Sequence, residues 1–272
     1  MPDEKVSLSN QGQQSPQPGD AAFVPPAAAV PLPSQGKVYP AGSSLSGVEL
    51  VEIKAMTAKE EDILTSRALL RTGRALDTLL KSCVVDRNID VDSMLVGDRN
   101  AALIAIRITG YGQEYKVEIE CPKCGEKCQH EFDLAKLPVK RLGVDPRSPA
   151  TNEFVFKLPV SKVDVVFKLL TGADERELST ILDRMKKISG GLESLVTSRL
   201  TRQIVAIAGE TDGTKLSAMI RSMPAKDSRE LRTYIDKISP GVDMTQTFLC
   251  QSCGEESEVD VPMGTEFFWP QA

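Results

Sequence analysis

Two short runs lying far apart in the chain, Cys121-Pro122-Lys123-Cys124-Gly125 and Cys250-Gln251-Ser252-Cys253-Gly254, restrict its fold more than any other feature. Each is a Cys-x-x-Cys-Gly turn set between strand-like runs. Tyr115, Val117 and Ile119 alternate with charged residues ahead of the first turn. Thr247-Phe248-Leu249 leads into the second, and Glu258-Val259-Asp260-Val261 leads out. Such alternation marks strands with one buried face. Two thiolates separated by two residues can reach one ion, and the glycine lets the backbone turn with φ > 0 so that amides point at the sulfurs. Facing each other, the turns would complete a closed, structural four-thiolate zinc site with Cys121, Cys124, Cys250 and Cys253 as ligands and one zinc per chain.

Other uses of these cysteines fit less well. No signal peptide is read at the N-terminus, which disfavours a pair of disulfides. A thioredoxin-like redox pair needs a βαβ setting, whereas these turns join strand to strand. An iron–sulfur cluster is the remaining alternative. Cys128 could replace Cys124, and His130, the only histidine, could join it as a ligand. Because the two turns are so far apart, a shared ion requires residues 134–245 to fold as an insertion. Cys83 sits on an apolar helical face and is expected in the core.

The expected fold is α+β: a helical domain with short β-hairpins and a split four-cysteine zinc ribbon, preceded by a flexible Pro-rich N-terminal arm. Residues 1–46 hold eight of the 17 prolines, and such a segment cannot bury enough apolar surface to offset its ordering entropy. Its later part, from Phe23 to Pro33, is apolar enough to order against a partner. Residues 47–133 should hold a strand at 48–53, helices at 58–71, 74–84 and 99–109, and the first knuckle hairpin. Asp98 is the expected N-cap of the 99–109 helix. That helix is apolar almost all round, so Arg107 within it should have a carboxylate partner. Residues 134–245 should contain a linker from Pro138 to Pro149, a hairpin of Phe154–Leu158 with Val163–Lys168, and helices at 173–188, 191–208 and after Pro224. Leu192, Leu195, Val196, Leu200, Ile204 and Ile207 belong to the apolar face of the second of these helices. Residues 246–272 form the second knuckle hairpin and an aromatic end, Phe267-Phe268-Trp269, expected to fold back onto the ribbon or to anchor in a neighbouring subunit.

A net charge of −5 and a pI near 5.2 oppose a nucleic-acid or anionic-membrane surface over the whole molecule. Acidic residues outnumber lysines around both knuckles, where a phosphate-reading ribbon would show the opposite sign. No apolar run approaches the roughly 20 residues of a membrane helix. The chain has no Gly-rich phosphate loop, nucleophile elbow or Ser/His/Asp set, and its carboxylate pairs Glu60-Glu61 and Asp174-Glu175 sit at helix starts, where they offset the dipole. An enzyme is not expected.

An ordered set of short motifs runs through the chain: Leu32-Pro33-Ser34-Gln35-Gly36 with Tyr39-Pro40, Met56 to Leu64, Gly97-Asp98-Arg99 and the first knuckle. Leu158-Pro159-Val160-Ser161, Leu169-Leu170-Thr171-Gly172, the second knuckle and Val261-Pro262-Met263-Gly264 before Phe267-Phe268-Trp269-Pro270 complete it. Over residues 30–270 this set resembles the baseplate hub assembly protein family of T-even-type contractile-tailed bacteriophages; residues 1–29 and Cys128 lie outside the pattern. The resemblance implies a structural protein that helps build the central baseplate hub in the host cytoplasm and belongs to the virion tail baseplate. It implies contacts with other baseplate hub, tail-tube or tape-measure proteins, and Leu32, Pro33, Tyr39, Phe267, Phe268 and Trp269 are the candidate partner-binding residues. The rival expectation is a zinc-ribbon nucleic-acid-binding regulator, whose binding would be salt-sensitive.

Overall fold

The computed structural model describes residues 27–188, 195–263 and 265–268; Leu192, Gly264, Trp269 and the side chain of Ile188 fall outside the described set. The chain opens with β1 (Ala27–Pro31), which pairs antiparallel with β2 (Leu50–Lys54), Val30 standing opposite Val51. Residues 27–46, taken above with the arm, thus lie on the body. Their few apolar side chains carry the area needed, since Val30, Leu32, Val38, Tyr39 and Leu45 are all buried.

The expected 58–71 helix is split at Ser66 into α1 (Ala58–Thr65) and α2 (Arg67–Arg71), and α3 (Ala75–Cys83) follows, with Leu79, Leu80 and Cys83 in the core. Thr57 and Glu60 form a reciprocal capping box at the start of α1. The Glu60 carboxylate also accepts from Lys54 Nζ at 3.1 Å and Ser82 Oγ at 2.5 Å, so this buried charge is fully used.

The central element is α4 (Val96–Tyr111), which packs against β1, β2, α3 and the C-terminal turn. It starts earlier than expected, so Asp98 falls in its first turn and is not its N-cap. The carboxylate points inward to other donors: it accepts from Ser34 N at 2.8 Å, Ser34 Oγ at 2.5 Å and Tyr39 Oη at 2.5 Å. Arg107 also differs from expectation. Its guanidinium donates to three backbone carbonyls, those of Phe267 at 2.9 Å, Gly112 at 2.9 Å and Glu114 at 3.1 Å. No carboxylate is required there, because the C-terminal end of a helix and the chain crossing it supply partial negative charge.

The first knuckle hairpin is β3 (Glu114–Glu120) with β4 (Lys127–Asp133). Within the expected linker, β5 (Val139–Lys140) forms a two-residue strand. The hairpin that follows is present as β6 (Phe154–Lys157) and β7 (Asp164–Phe167), with Phe154 opposite Phe167. Then come α5 (Gly172–Ile188) and α6 (Leu195–Gln203). The chain changes conformation at Ile204, where a helix was expected to continue to 208. Ile204–Ile207 form β8, a third strand pairing with β7. The run Ile-Val-Ala-Ile is rich in β-branched residues and meets an open sheet edge, so cross-strand pairing overrides the helical spacing.

Two helices, α7 (Gly213–Arg221) and α8 (Ala225–Ile238), lead to β9 (Gly241–Val242), which pairs with β5 through Val139–Val242 and Lys140–Gly241. Residues 141–240 therefore leave and return at one place. The same junction touches α4 closely: a Cβ on Gly97 would lie 1.8 Å from the Pro240 carbonyl oxygen. The second knuckle hairpin, β10 (Thr245–Leu249) with β11 (Glu256–Asp260), follows at once, and a 3-10 turn at Thr265–Phe268 ends the described chain. Among the described residues, no helix is long and apolar enough to cross a membrane.

Candidate metal centre

The two knuckles have the same backbone design. In the first, Cys121 N donates to Glu126 O and Gly125 N to Cys121 O, both at 2.9 Å. In the second, Cys250 N donates to Glu255 O at 3.0 Å and Gly254 N to Cys250 O at 2.9 Å. Gly125 at φ 74° and Gly254 at φ 70° occupy the left-handed region, where a Cβ would be strained. Each turn therefore presents one buried sulfur, Cys121 or Cys250, and one exposed sulfur, Cys124 or Cys253.

These four sulfurs meet, all within 4.8 Å of one another. Across the knuckles, Cys121 Sγ lies 3.9 Å from Cys253 Sγ, and Cys124 Sγ lies 3.7 Å from Cys250 Sγ. A tetrahedron with metal–sulfur bonds of about 2.3 Å has edges of about 3.8 Å. The donor set therefore fits one tetrahedral metal ion. The Cys250 thiol is pulled down to about 6, foremost by the Cys253 backbone N–H; burial opposes this, and the Ser252 N–H adds to it. A thiolate is thus favoured at the buried edge of the set. Cys128 and His130 stand outside the four. Cys128 is buried beside Cys250, and His130 packs edge-on against Phe132 and Phe248, linking the two hairpins.

The ribbon lysines are committed. Lys123 pairs with Glu255 across the knuckles at 2.6 Å, Lys127 with Glu118 at 3.0 Å and Lys116 with Glu131 at 3.6 Å.

The aromatic end folds back, with the Phe267 ring 5.0 Å from Tyr115 of β3 and 5.1 Å from Phe268. Phe267 and Phe268 are fully buried, as are Leu32, Pro33 and Tyr39 at the other end, so the chain itself occupies the surface these side chains would offer a partner. Trp269 lies outside the described residues.

Reading the sequence alone missed the Asp98 cluster, although its parts, Ser34, Tyr39 and Asp98, all lie within the quoted motifs. Other motifs are explained in the same way. Val160 N and Ser161 N donate to Asp227 at 2.7 and 3.0 Å, and Thr171 N donates to Asp174 at 3.0 Å. Arg99 pairs with Asp77 at 2.5 Å, which in turn pairs with Arg176 of α5 at 2.5 Å.

A family described as T4 bacteriophage base plate protein matches residues 30–269. No curated protein and no solved structure matches the chain.

Proposed function

Because the chain belongs to the T4 bacteriophage base plate protein family, we propose that it is an assembly component of the central hub of a contractile tail baseplate, held together by a structural zinc ion. The observation that carries this reading is the extent of the match, which runs from β1 to the aromatic end and so takes in nearly the whole described fold. Structural proteins of this kind act through their surfaces, and the closed four-sulfur set leaves no coordination position for a reacting water. Zinc suits four thiolates in a tetrahedron, and Cys121, Cys124, Cys250 and Cys253 would hold it. The partners in this reading are other baseplate hub, tail-tube or tape-measure proteins, met in the host cytoplasm and kept in the virion tail.

The unit from 134 to 245 is read as an insertion between the ribbon halves, a division supported by the β5–β9 pairing at its base. Residues 1–26 are read as the arm that engages a neighbouring subunit. Their removal deletes none of the described contacts, so the truncated protein should fold and yet fail to enter baseplates. Leu32, Pro33, Tyr39, Phe267, Phe268 and Trp269 are the candidate contacts, and assembly would have to remodel the ends for the buried ones among them to reach a partner.

The test is to complement a phage lacking this protein with the wild type, with Cys250→Ser/Cys253→Ser and with a chain lacking residues 1–26. Zinc is measured in each purified protein, and isolated tails and hub intermediates are probed for the protein. Wild type should carry one zinc and restore baseplates, and neither variant should restore them. Normal baseplates from phage lacking the protein would overturn the assembly reading, and a zinc-free wild type would overturn the metal reading alone.

A further inference from the structure

Cys128 lies on β4 opposite Ile119 and is 7% exposed. Its Sγ is 3.8 Å from Cys250 Sγ and 3.9 Å from Ser252 Oγ. It is not one of the four sulfurs that enclose a common centre. A tetrahedral site completed by those four has no vertex for it.

We propose that Cys128 remains a thiol and donates its S–H to the Cys250 thiolate, making it a positioning residue for the metal centre. This rests on the metal reading given above. The direction of the bond follows from charge. Once an ion is held, the Cys250 sulfur has no proton, so the only S–H available between the two sulfurs belongs to Cys128. With that proton committed, Cys128 sulfur is the acceptor for the Ser252 hydroxyl. The result is a short relay, from the Ser252 O–H to the Cys128 sulfur and from the Cys128 S–H to the Cys250 thiolate.

The location explains why a donor is needed there. Four thiolates around a divalent ion leave two surplus negative charges. Cys124 and Cys253 are exposed and can take hydrogen bonds from water. Cys121 and Cys250 are both buried, and Cys250 is the one with a thiol from outside the set beside it, Cys128 at 3.8 Å. Donors of this type orient a ligand and hold negative charge on it, and losing one typically costs 10- to 100-fold in metal affinity.

The test uses full-length protein loaded with zinc or cobalt(II), as wild type and as Cys128→Ser, Cys128→Ala and Ser252→Ala. Zinc affinity is measured by competition with a chromophoric chelator, and the cobalt form reports ligand number through its d–d bands and thiolate donation through its sulfur-to-metal charge-transfer band. All four proteins should bind one ion with four-thiolate d–d bands. Cys128→Ala should lose about tenfold in zinc affinity and shift the charge-transfer band to lower energy. Cys128→Ser, which keeps a donor, should stay within about threefold of wild type. Ser252→Ala should lie between them. Loss of a thiolate in the cobalt spectrum of Cys128→Ala would make Cys128 a ligand and overturn the proposal. Equal affinity in Cys128→Ala and wild type, or equal loss in the Ser and Ala variants, would reduce Cys128 to a packing residue. A wild type that binds neither metal would remove the metal reading and this inference with it.

Discussion

The two ends of α4 hold the two ends of the described chain by opposite means. Near its N-terminus the buried anion Asp98 gathers Ser34 and Tyr39; near its C-terminus the buried cation Arg107 gathers the carbonyls of Gly112, Glu114 and Phe267. Both charges have the sign that the helix dipole favours at that end. They differ in what they grip. Asp98 binds mainly hydroxyl side chains, so its joint depends on which residues stand at 34 and 39. Arg107 binds only main chain, so its joint depends on where the backbone has been brought. That position is tied to the ribbon, since Phe267 packs on Tyr115 of β3 and the Tyr115 hydroxyl donates to Pro262 O at 3.2 Å. The N-terminal joint is self-sufficient, whereas the C-terminal joint relies on the knuckles being closed.

Chelating the ion proposed for the four cysteines should separate the two joints most strongly. A structural zinc of this class contributes about 10 kcal/mol or more to the fold it closes. Chelation of the zinc-loaded protein should therefore strip hydrogen-exchange protection from β10, β11 and 265–268 while β1, β2 and the Ser34 amide keep theirs. Uniform loss along the chain would show that the joints are one cooperative unit. Arg107→Met comes next. It leaves the buried Phe267 carbonyl and the part-buried carbonyls of Gly112 and Glu114 without their donor, so a loss of about 2–3 kcal/mol is expected in denaturant unfolding. Tyr39→Phe should cost less, about 1–2 kcal/mol, because it removes one bond to Asp98 and the acceptor of Leu95 N at 2.9 Å. If Tyr39→Phe proves the costlier of the two, the ranking of main-chain over side-chain joints is reversed.

The last comparison is one of pH. Burial raises the Asp98 pKa more than its hydrogen bonds lower it, so the folded state holds that proton more tightly and Asp98 ionisation weakens the fold as pH rises through the raised value. Glu60 behaves in the opposite way. Burial would raise its pKa, but donation from Ser82, Thr57 and Lys54 outweighs this and holds it down to about 2, against an ordinary 4.5. Its contribution is complete above about 4.5 and is lost as pH falls towards 2. Glu60→Gln should therefore flatten the fall in thermal stability between those limits and leave the curve above pH 6 parallel to wild type. An unchanged acid limb would show that other carboxylates control acid unfolding.

What could be read from the sequence was local. Alternation at Tyr115, Val117 and Ile119, the glycine after each Cys-x-x-Cys, the apolar stripes of α3 and α8, and the Phe154–Phe167 hairpin each arise from neighbours a few residues apart. The four-sulfur cluster also belonged here despite its span, because cysteines at a fixed short spacing carry their chemistry in the residue type itself. The helix expected to run on to 208 shows the limit. Ile204 and Ile207 fit a helical stripe, and only the open edge of β7 makes them a strand.

Tertiary structure alone decided which groups the buried charges meet. Arg107 took backbone carbonyls, which every residue carries and no residue type announces. Asp98 became a receptor for residues some 60 positions earlier instead of a cap for its own helix. The sequence by itself determined the two knuckle hairpins, the Phe154–Phe167 hairpin, the buried faces of α3 and α8 and the four sulfurs, because periodicity and ligand chemistry are properties of residue types. The packing of residues 27–46 on the body, the clip between β5 and β9 and the closing of both chain ends on α4 were decided by contacts between distant segments, where hydrogen-bonding geometry, and not residue identity, selects the partner.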